Sequence, residues 1–488
     1  MASDHLHDEL LRELREGLGD AVITDEEALD SVRLDKSGWM SADRPLALIE
    51  ATSVEQVQAT MRIASAHSIP VVPRGAGTGL AGGAIGSRGE IVLSVRRLNR
   101  ILEINVADEL AVVEPGILNA ELNAALADYG LWWAPDPASK AISTVGGNIA
   151  TNAGGILCAK YGVTREAVLG LSVVLADGRL LEVGHRTVKG VTGYDLTALM
   201  VGSEGTLGVI VGATLKLRPL PKGVVATIGA YFPDIVAAAG ASAAITASGL
   251  RPAALELLDA ASLALLDQLF AAEPDHRPLS QRGSAYLLVQ TDGPGSEAEA
   301  EAAFAIIAAA GGDADLTLDP DEGERLLRVR RRAHTAYELA GEVLIEDLAV
   351  PRSQLPAMFA AIERISRESG IAIPTIAHAG DGNLHPNLII PATMPRSRPG
   401  EVPEEIWVVA DQLFRAAIAL GGTLTGEHGV GLLKRRWIAE ELGALGLDLQ
   451  EGIKAVFDPQ GILNPGKVWA HPAPGPELDM NSTRSGAE

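Results

Sequence analysis

The chain has 488 residues, 47% hydrophobic and 21% charged, enough apolar content for two or three globular domains. Its formal net charge of −23 excludes nucleic acid and anionic membrane surfaces as natural partners, since both would repel it over long range. The single cysteine, Cys158, excludes an intrachain disulfide and a cysteine-ligated iron–sulfur cluster, so any long electron relay must use another protein.

The start, Met1 to Asp8, lacks the basic and apolar regions of a signal peptide, and no apolar run approaches the roughly 20 residues that span a bilayer. The expectation is a cytoplasmic, non-integral protein. An amphipathic helix over 4–18 precedes strand 46–50, helix 53–67 and strand 70–73. Short strands follow over 91–116, then a helix over 117–129 with Leu118, Leu122, Ala125 and Leu126 on its apolar face. Residues 135–155 read as glycine-rich loop, with Cys158 just beyond as a small, soft, buried side chain. Strands return at 168–183 and 207–217. The prolines of Arg218-Pro219-Leu220-Pro221-Lys222 then mark a boundary, because they cannot continue a ladder.

Beyond it come strand 224–232, helix 234–248, strand 284–291, helix 296–310, helix 321–340, strand 343–348, helix 352–369 and helix 403–420. Residues 457–469 read as successive turns, and the polar tail from 471 as disordered. The organisation expected is a helical segment over 1–40, domains over 41–221 and 222–425, a C-terminal segment over 426–470 and the tail 471–488.

Two glycine-rich stretches can meet a phosphate. Pro73-Arg74-Gly75-Ala76-Gly77-Thr78-Gly79-Leu80-Ala81-Gly82-Gly83 follows a short strand and offers many backbone N–H groups, a nest for a pyrophosphate. Gly77, Gly79 and Gly82 match G-x-G-x-x-G, but a Rossmann site needs that loop to open a helix, and Gly83, Gly86 and Gly89 prevent one. The second cluster runs from Pro135 and Asp136 through Ser143-Thr144-Val145-Gly146-Gly147-Asn148 to Thr151-Asn152-Ala153-Gly154-Gly155. It adds small hydroxyls, an amide and close-approach glycines, so two loops together could clamp a dinucleotide diphosphate.

Two later stretches read as a metal-assisted redox site. In His378-Ala379-Gly380-Asp381-Gly382-Asn383-Leu384-His385-Pro386-Asn387 the apolar arms Ile371–Ile376 and Leu388–Ile390 flank the turn formers Gly-Asp-Gly-Asn, which predicts a hairpin. His378 and His385 then face each other on one side, with Asn387 on that side two residues on. A carboxylate from Glu427, in Gly426-Glu427-His428-Gly429, would complete a two-histidine, one-carboxylate site suited to Zn, Mn or Fe(II). His428 remains as a base.

Together with Lys189-Gly190-Val191-Thr192-Gly193-Tyr194-Asp195-Leu196 and Gly202-Ser203-Glu204-Gly205-Thr206-Leu207-Gly208, the two glycine-rich stretches resemble the FAD domain of the vanillyl-alcohol-oxidase-like flavoproteins. The histidine hairpin, Gly426–Gly429 and Asn464-Pro465-Gly466-Lys467 resemble the FAD-linked D-2-hydroxyacid dehydrogenases, which include D-lactate dehydrogenase, the glycolate oxidase flavoprotein subunit and D-2-hydroxyglutarate dehydrogenase. The resemblance covers roughly residues 40–470 and implies an α+β fold: a p-cresol-methylhydroxylase-type FAD domain, a substrate domain with an antiparallel sheet, and a C-terminal segment returning to the FAD.

It further implies that Arg74 to Leu80 and Ser143 to Gly147 contact the diphosphate, Asn464 the isoalloxazine region, and Glu204, Gly205, Gly208, Val209 and Ile210 the cofactor through backbone groups. Relatives with a covalent histidyl flavin carry histidine in the first loop; this chain has Thr78, so the implied FAD is non-covalent. Oxidation of a D-2-hydroxy acid would use one divalent metal, Zn or Mn, on His378, His385 and Glu427, with His428 taking the hydroxyl proton. Asn387 would help bind substrate. Within Arg328-Val329-Arg330-Arg331-Arg332, spacing to Asp347 matches Arg330 to the family's substrate arginine, with Arg331 as fallback.

No lysine occurs between Arg330 and Pro351, where hydroxyglutarate-specific relatives place a second cation, which favours D-lactate or glycolate. Electrons would pass to an external acceptor, whether quinone, flavoprotein, cytochrome or iron–sulfur protein, and a homodimer is compatible with the family. Three rivals fit less well. An Fe(II) oxygenase has no use for the diphosphate loops, an enolpyruvyl reductase of the same FAD fold lacks the metal hairpin, and a non-catalytic flavin carrier needs neither the ligands nor His428.

Overall fold

The computed structural model describes residues 2–274, 277–395 and 401–469. The polar tail expected from 471 lies outside them. The N-terminal helix Ala2–Leu18 lays Leu10, Leu14 and Leu18, spaced four apart, into the core shared with Val57, Met61 and Ala64 of helix Val54–His67. Ser53 starts that second helix by accepting from the Gln56 N–H.

Strands Ala47–Glu50 and Val71–Arg74 both pair in parallel with Ile91–Ser94, and Val22–Ile23 adds an antiparallel edge. The first glycine loop leaves the end of Val71–Arg74. Five antiparallel strands, from Ile101–Asn105 to Val209–Lys216, form a neighbouring sheet. The segment 457–469 folds as turns and comes back to the first sheet, where the Asn464 N–H donates to Val71 O and the Val71 N–H to Ile462 O.

Past residue 225 an eight-stranded antiparallel sheet runs in the spatial order 313–317, 226–232, 285–291, 254–258, 375–378, 383–390, 342–345, with 348–349 also pairing on 383–390. Both faces are covered. Helices Ile235–Ala247, Ser296–Ala309, Leu355–Ser369 and Glu404–Ala419 pack one face around Leu255, Leu257, Leu287 and Val289. Helices Ala260–Phe270, Pro320–Arg331 and Ala333–Ala340 cover the other, where Leu258, Tyr286, Leu288 and Ile376 point. No helix of the described residues is long and apolar enough to cross a membrane.

Three expectations need correction. The stretch 135–155 is not all loop: Val145–Thr151 is helical, with Thr144 accepting from the Gly147 N–H at its start. Gly146 is required there because a Cβ would lie 2.4 Å from the Pro115 Cβ, so close packing overrides the poor helix propensity of two glycines. The helix expected over 321–340 is two, meeting at Arg332, and both Leu327 and Tyr337 thereby reach the same core. The hairpin is out of the expected register by two residues: His378 pairs with Asn383, and His385 with Ile376. An even offset keeps both histidines on one face, as diagonal neighbours rather than opposite ones.

Candidate active site

The first glycine loop is held open rather than filled. Among the described residues, none of the main-chain N–H groups from Gly75 to Gly83 donates to a protein acceptor. The Arg74 guanidinium, expected on the diphosphate, bonds Ala84 O at 2.6 Å and Leu34 O at 2.9 Å, so its side chain braces the loop. Gly77 has φ +68°, and a Cβ there would strike that guanidinium at 2.2 Å. Ser143 and Asn148 likewise hold each other, Asn148 Nδ2 donating to Ser143 Oγ at 3.1 Å while Asn119 bonds both Asn148 Oδ1 and Pro135 O. Thr151 Oγ1 turns back to Gly147 O, and Ala153 O accepts from Thr164. Those bonds shape the second loop.

The returning C-terminal segment closes this region. Asn464 Nδ2 donates to Gly83 O at 2.9 Å and Glu204 O at 2.7 Å, while its Oδ1 is buried without a protein partner. Glu204, at φ +51°, accepts from the N–H groups of Val430 and Gly431, and burial pushes its pKa up to about 7. Gly205 and Gly208 fit against Pro73 and Val173, and Val209 and Ile210 begin the strand beyond. An orphaned amide oxygen beside a nest of free N–H groups, in a cradle kept clear by glycine, fits a bound dinucleotide.

The metal candidates converge. Glu427 Oε1 lies 3.1 Å from His385 Nε2 and 3.5 Å from His378 Nε2, and the ligating atoms of all three fall within 4.8 Å of one another. Four ligands about 2.0–2.1 Å from a tetrahedral ion are roughly 3.3 Å apart, so these spacings suit a single cation. Burial opposes charge on Glu427, but the two imidazoles outweigh it and hold its carboxyl well below the usual range. Burial would likewise lower His378; Glu256 and Glu427 overcome it and raise its pKa, a basicity that a metal ion can use in place of the proton. Gly154 lets the second glycine-rich stretch reach this cluster, since a Cβ there would lie 2.4 Å from Glu427 Oε2.

Two carboxylates that sequence reasoning left without a role organise the site. Asp347 Oδ2 accepts from Thr425 Oγ1 at 2.6 Å and from the N–H groups of Glu427 at 3.0 Å and His428 at 2.9 Å, pinning the Gly426–Gly429 turn. Glu256, fully buried on strand Ala254–Leu258, lies 2.6 Å from His378 Nδ1 and 2.5 Å from Arg330 Nε. An acid inside an apolar run, Leu-Glu-Leu-Leu or Ile-Glu-Asp-Leu, is the signal that marks each.

His428 stacks on His385 with ring centroids 5.1 Å apart, its Nε2 3.8 Å from Glu427 Oε1. Burial pushes its pKa down to about 4 against the pull of Asp347, leaving a neutral imidazole. Arg330 is mostly covered, whereas Arg331 is exposed and paired with Glu324. Asn387 is buried with its amide nitrogen donating to His385 O and Pro374 O, so it braces the hairpin and has only its carbonyl left for a substrate. Asp136, which accepts from the Leu157 N–H, is raised to about 7 by burial. Cys158 is half-buried and burial pushes its thiol up, in keeping with an inert side chain.

Residues 45–184 match the family model for an FAD binding domain, and 222–468 that for the C-terminal domain of FAD-linked oxidases. The chain is 39% identical to the glycolate oxidase subunit GlcD of Bacillus subtilis, over 88% of this chain and 90% of that protein. It is 34% identical to a D-lactate dehydrogenase of Anaerostipes hadrus, over 94% and 97%. Among solved structures it superposes on p-cresol methylhydroxylase with a TM-score of 0.73 at 18% identity, covering 94% of this chain and 96% of that one. The α+β fold is therefore the expected one.

Proposed function

The chain belongs to the FAD-linked oxidases, and on that premise we propose that it oxidises a small D-2-hydroxy acid, D-lactate or glycolate, to the 2-oxo acid. The observation that carries this reading is the union of a two-histidine, one-carboxylate cluster with the dinucleotide cradle, joined where Gly154 meets Glu427. FAD, bound non-covalently, supplies the acceptor for the hydride that leaves Cα. A divalent ion, zinc or manganese by donor type, supplies positive charge that lowers the pKa of the substrate hydroxyl.

His378, His385 and Glu427 would hold that ion, and Asp347 keeps Glu427 and His428 in place through the backbone. Arg330 presents its terminal N–H groups to the substrate carboxylate while its Nε is fixed by Glu256. His428, stacked on His385 beside the cluster, would take the hydroxyl proton at a ring nitrogen. Two electrons leave with the hydride and one proton goes to His428; with one cysteine in the chain, an external acceptor must reoxidise the flavin.

Chelation tests this directly. Metal-free protein should keep its FAD yet fail to be reduced by substrate, with zinc or manganese restoring reduction. Full flavin reduction in protein shown by elemental analysis to lack metal would defeat the reading.

A further inference from the structure

Glu256 sits at the centre of the substrate-side sheet, directly across from His378 in the strand register, with no exposed surface. Its two oxygens serve different halves of the site. Oε1 is 2.6 Å from His378 Nδ1 and Oε2 is 2.5 Å from Arg330 Nε. A carboxylate has only acceptors, so both neighbours must donate to it. His378 is thereby fixed with its proton on Nδ1 and its Nε2 lone pair turned to Glu427 and His385. Arg330 is fixed with Nε engaged, and among the described residues its terminal nitrogens have no protein acceptor, on a side chain 15% exposed.

We propose that Glu256 is a positioning residue that couples metal retention to substrate recognition, holding the metal-binding imidazole and the carboxylate-binding guanidinium in one geometry. The inference rests on the roles read above for His378 and Arg330, and adds that neither is set independently. It also explains why a charge lies in the middle of a sheet packed on both faces, where an unpaired carboxylate would be strongly disfavoured.

An amide cannot replace it. In Glu256→Gln, an oxygen turned to Arg330 leaves the NH2 facing His378 Nδ1; that nitrogen must then accept, so the ring proton moves to Nε2 and closes it to a metal. Turned the other way, the NH2 meets the Arg330 Nε–H, donor against donor. Glu256→Asp keeps the charge but is one methylene short of reaching both neighbours.

The test uses purified protein with FAD bound. Metal affinity is measured for zinc by competition with a chromophoric chelator, without substrate. Oxalate, a non-oxidisable carboxylate, is then titrated into the zinc-loaded protein and followed by the flavin absorption band. Glu256→Gln should weaken zinc binding by about 10–100-fold, the range for losing a partner behind a metal ligand, and should weaken oxalate at saturating zinc as well. Glu256→Asp should recover one affinity and not both.

Zinc and oxalate affinities both within twofold of the parent in a folded, FAD-bound Glu256→Gln protein would overturn the proposal. Failure of both variants to fold with FAD would also overturn it, making the residue structural only. A His378→Asn control separates the two levels: if that variant too binds zinc normally, the metal site itself is misread, whatever Glu256 does.

Discussion

Gly426→Ala is a one-carbon probe of whether Glu427 is a metal ligand. A Cβ at 426 would lie 2.3 Å from Asn383 Oδ1, 2.5 Å from its Cγ and 2.8 Å from its Nδ2. Carbon contacts are comfortable near roughly 3.5 Å, so the two chains must part by about an ångström. The Asn383 side chain is buried, and its backbone pairs with His378 in the hairpin. The Gly426–His428 turn must give, and Glu427 moves with it. Metal–ligand distances tolerate only about 0.2 Å, so the expected cost is 10–100-fold in zinc affinity, about 1.4–2.8 kcal/mol. FAD content should be unchanged, because the first glycine loop is untouched. Chelator competition on the apo-protein, with flavin absorbance read in the same sample, measures both. An unchanged zinc affinity with FAD retained would refute Glu427 as a ligand.

His428→Asn should retain FAD and metal yet slow flavin reduction by about 10²–10⁴-fold at saturating substrate, the range for losing a general base; stopped-flow absorbance checks it. Because the first loop carries Thr78 and no histidine, acid precipitation should release all flavin to the supernatant, and flavin remaining in the washed pellet would contradict that. Arg330 with no lysine before Pro351 predicts a higher kcat/KM for D-lactate or glycolate than for D-2-hydroxyglutarate, compared directly on one preparation. Glu204 carries a pH signature: its raised folded pKa adds stability that is present below about pH 4.5 and fades as pH rises towards 7. Glu204→Ala should flatten that slope in denaturant titrations between those two values.

The readable parts were those whose chemistry is local. Glycine nests, turn formers between apolar arms and the Gly-Glu-His-Gly run each announce themselves within a dozen residues, and the structure brings His378, His385, Glu427 and His428 together from them. The supporting residues were hidden because their meaning is non-local. Strand Ala254–Leu258 is buried on both faces, so it lacks the alternation that marks a strand, and nothing near Glu256 in sequence shows that His378 lies across from it. The turn residues alone do not set the hairpin register, because they permit more than one loop length; pairing of His385 with Ile376 is settled by the sheet around it. Arg74 and Asn148, which look like ligand contacts in sequence, also bond the loops that carry them.

The central claim is a stereospecific, metal-assisted half-reaction. Anaerobic mixing of the FAD- and zinc-loaded protein with paired D and L enantiomers of lactate, alongside glycolate, measures it by bleaching of the oxidised flavin band. The account predicts full bleaching by D-lactate or glycolate within one turnover and none by L-lactate. Equal bleaching by both enantiomers, or none by any D-2-hydroxy acid in protein shown to carry FAD and metal, would contradict it.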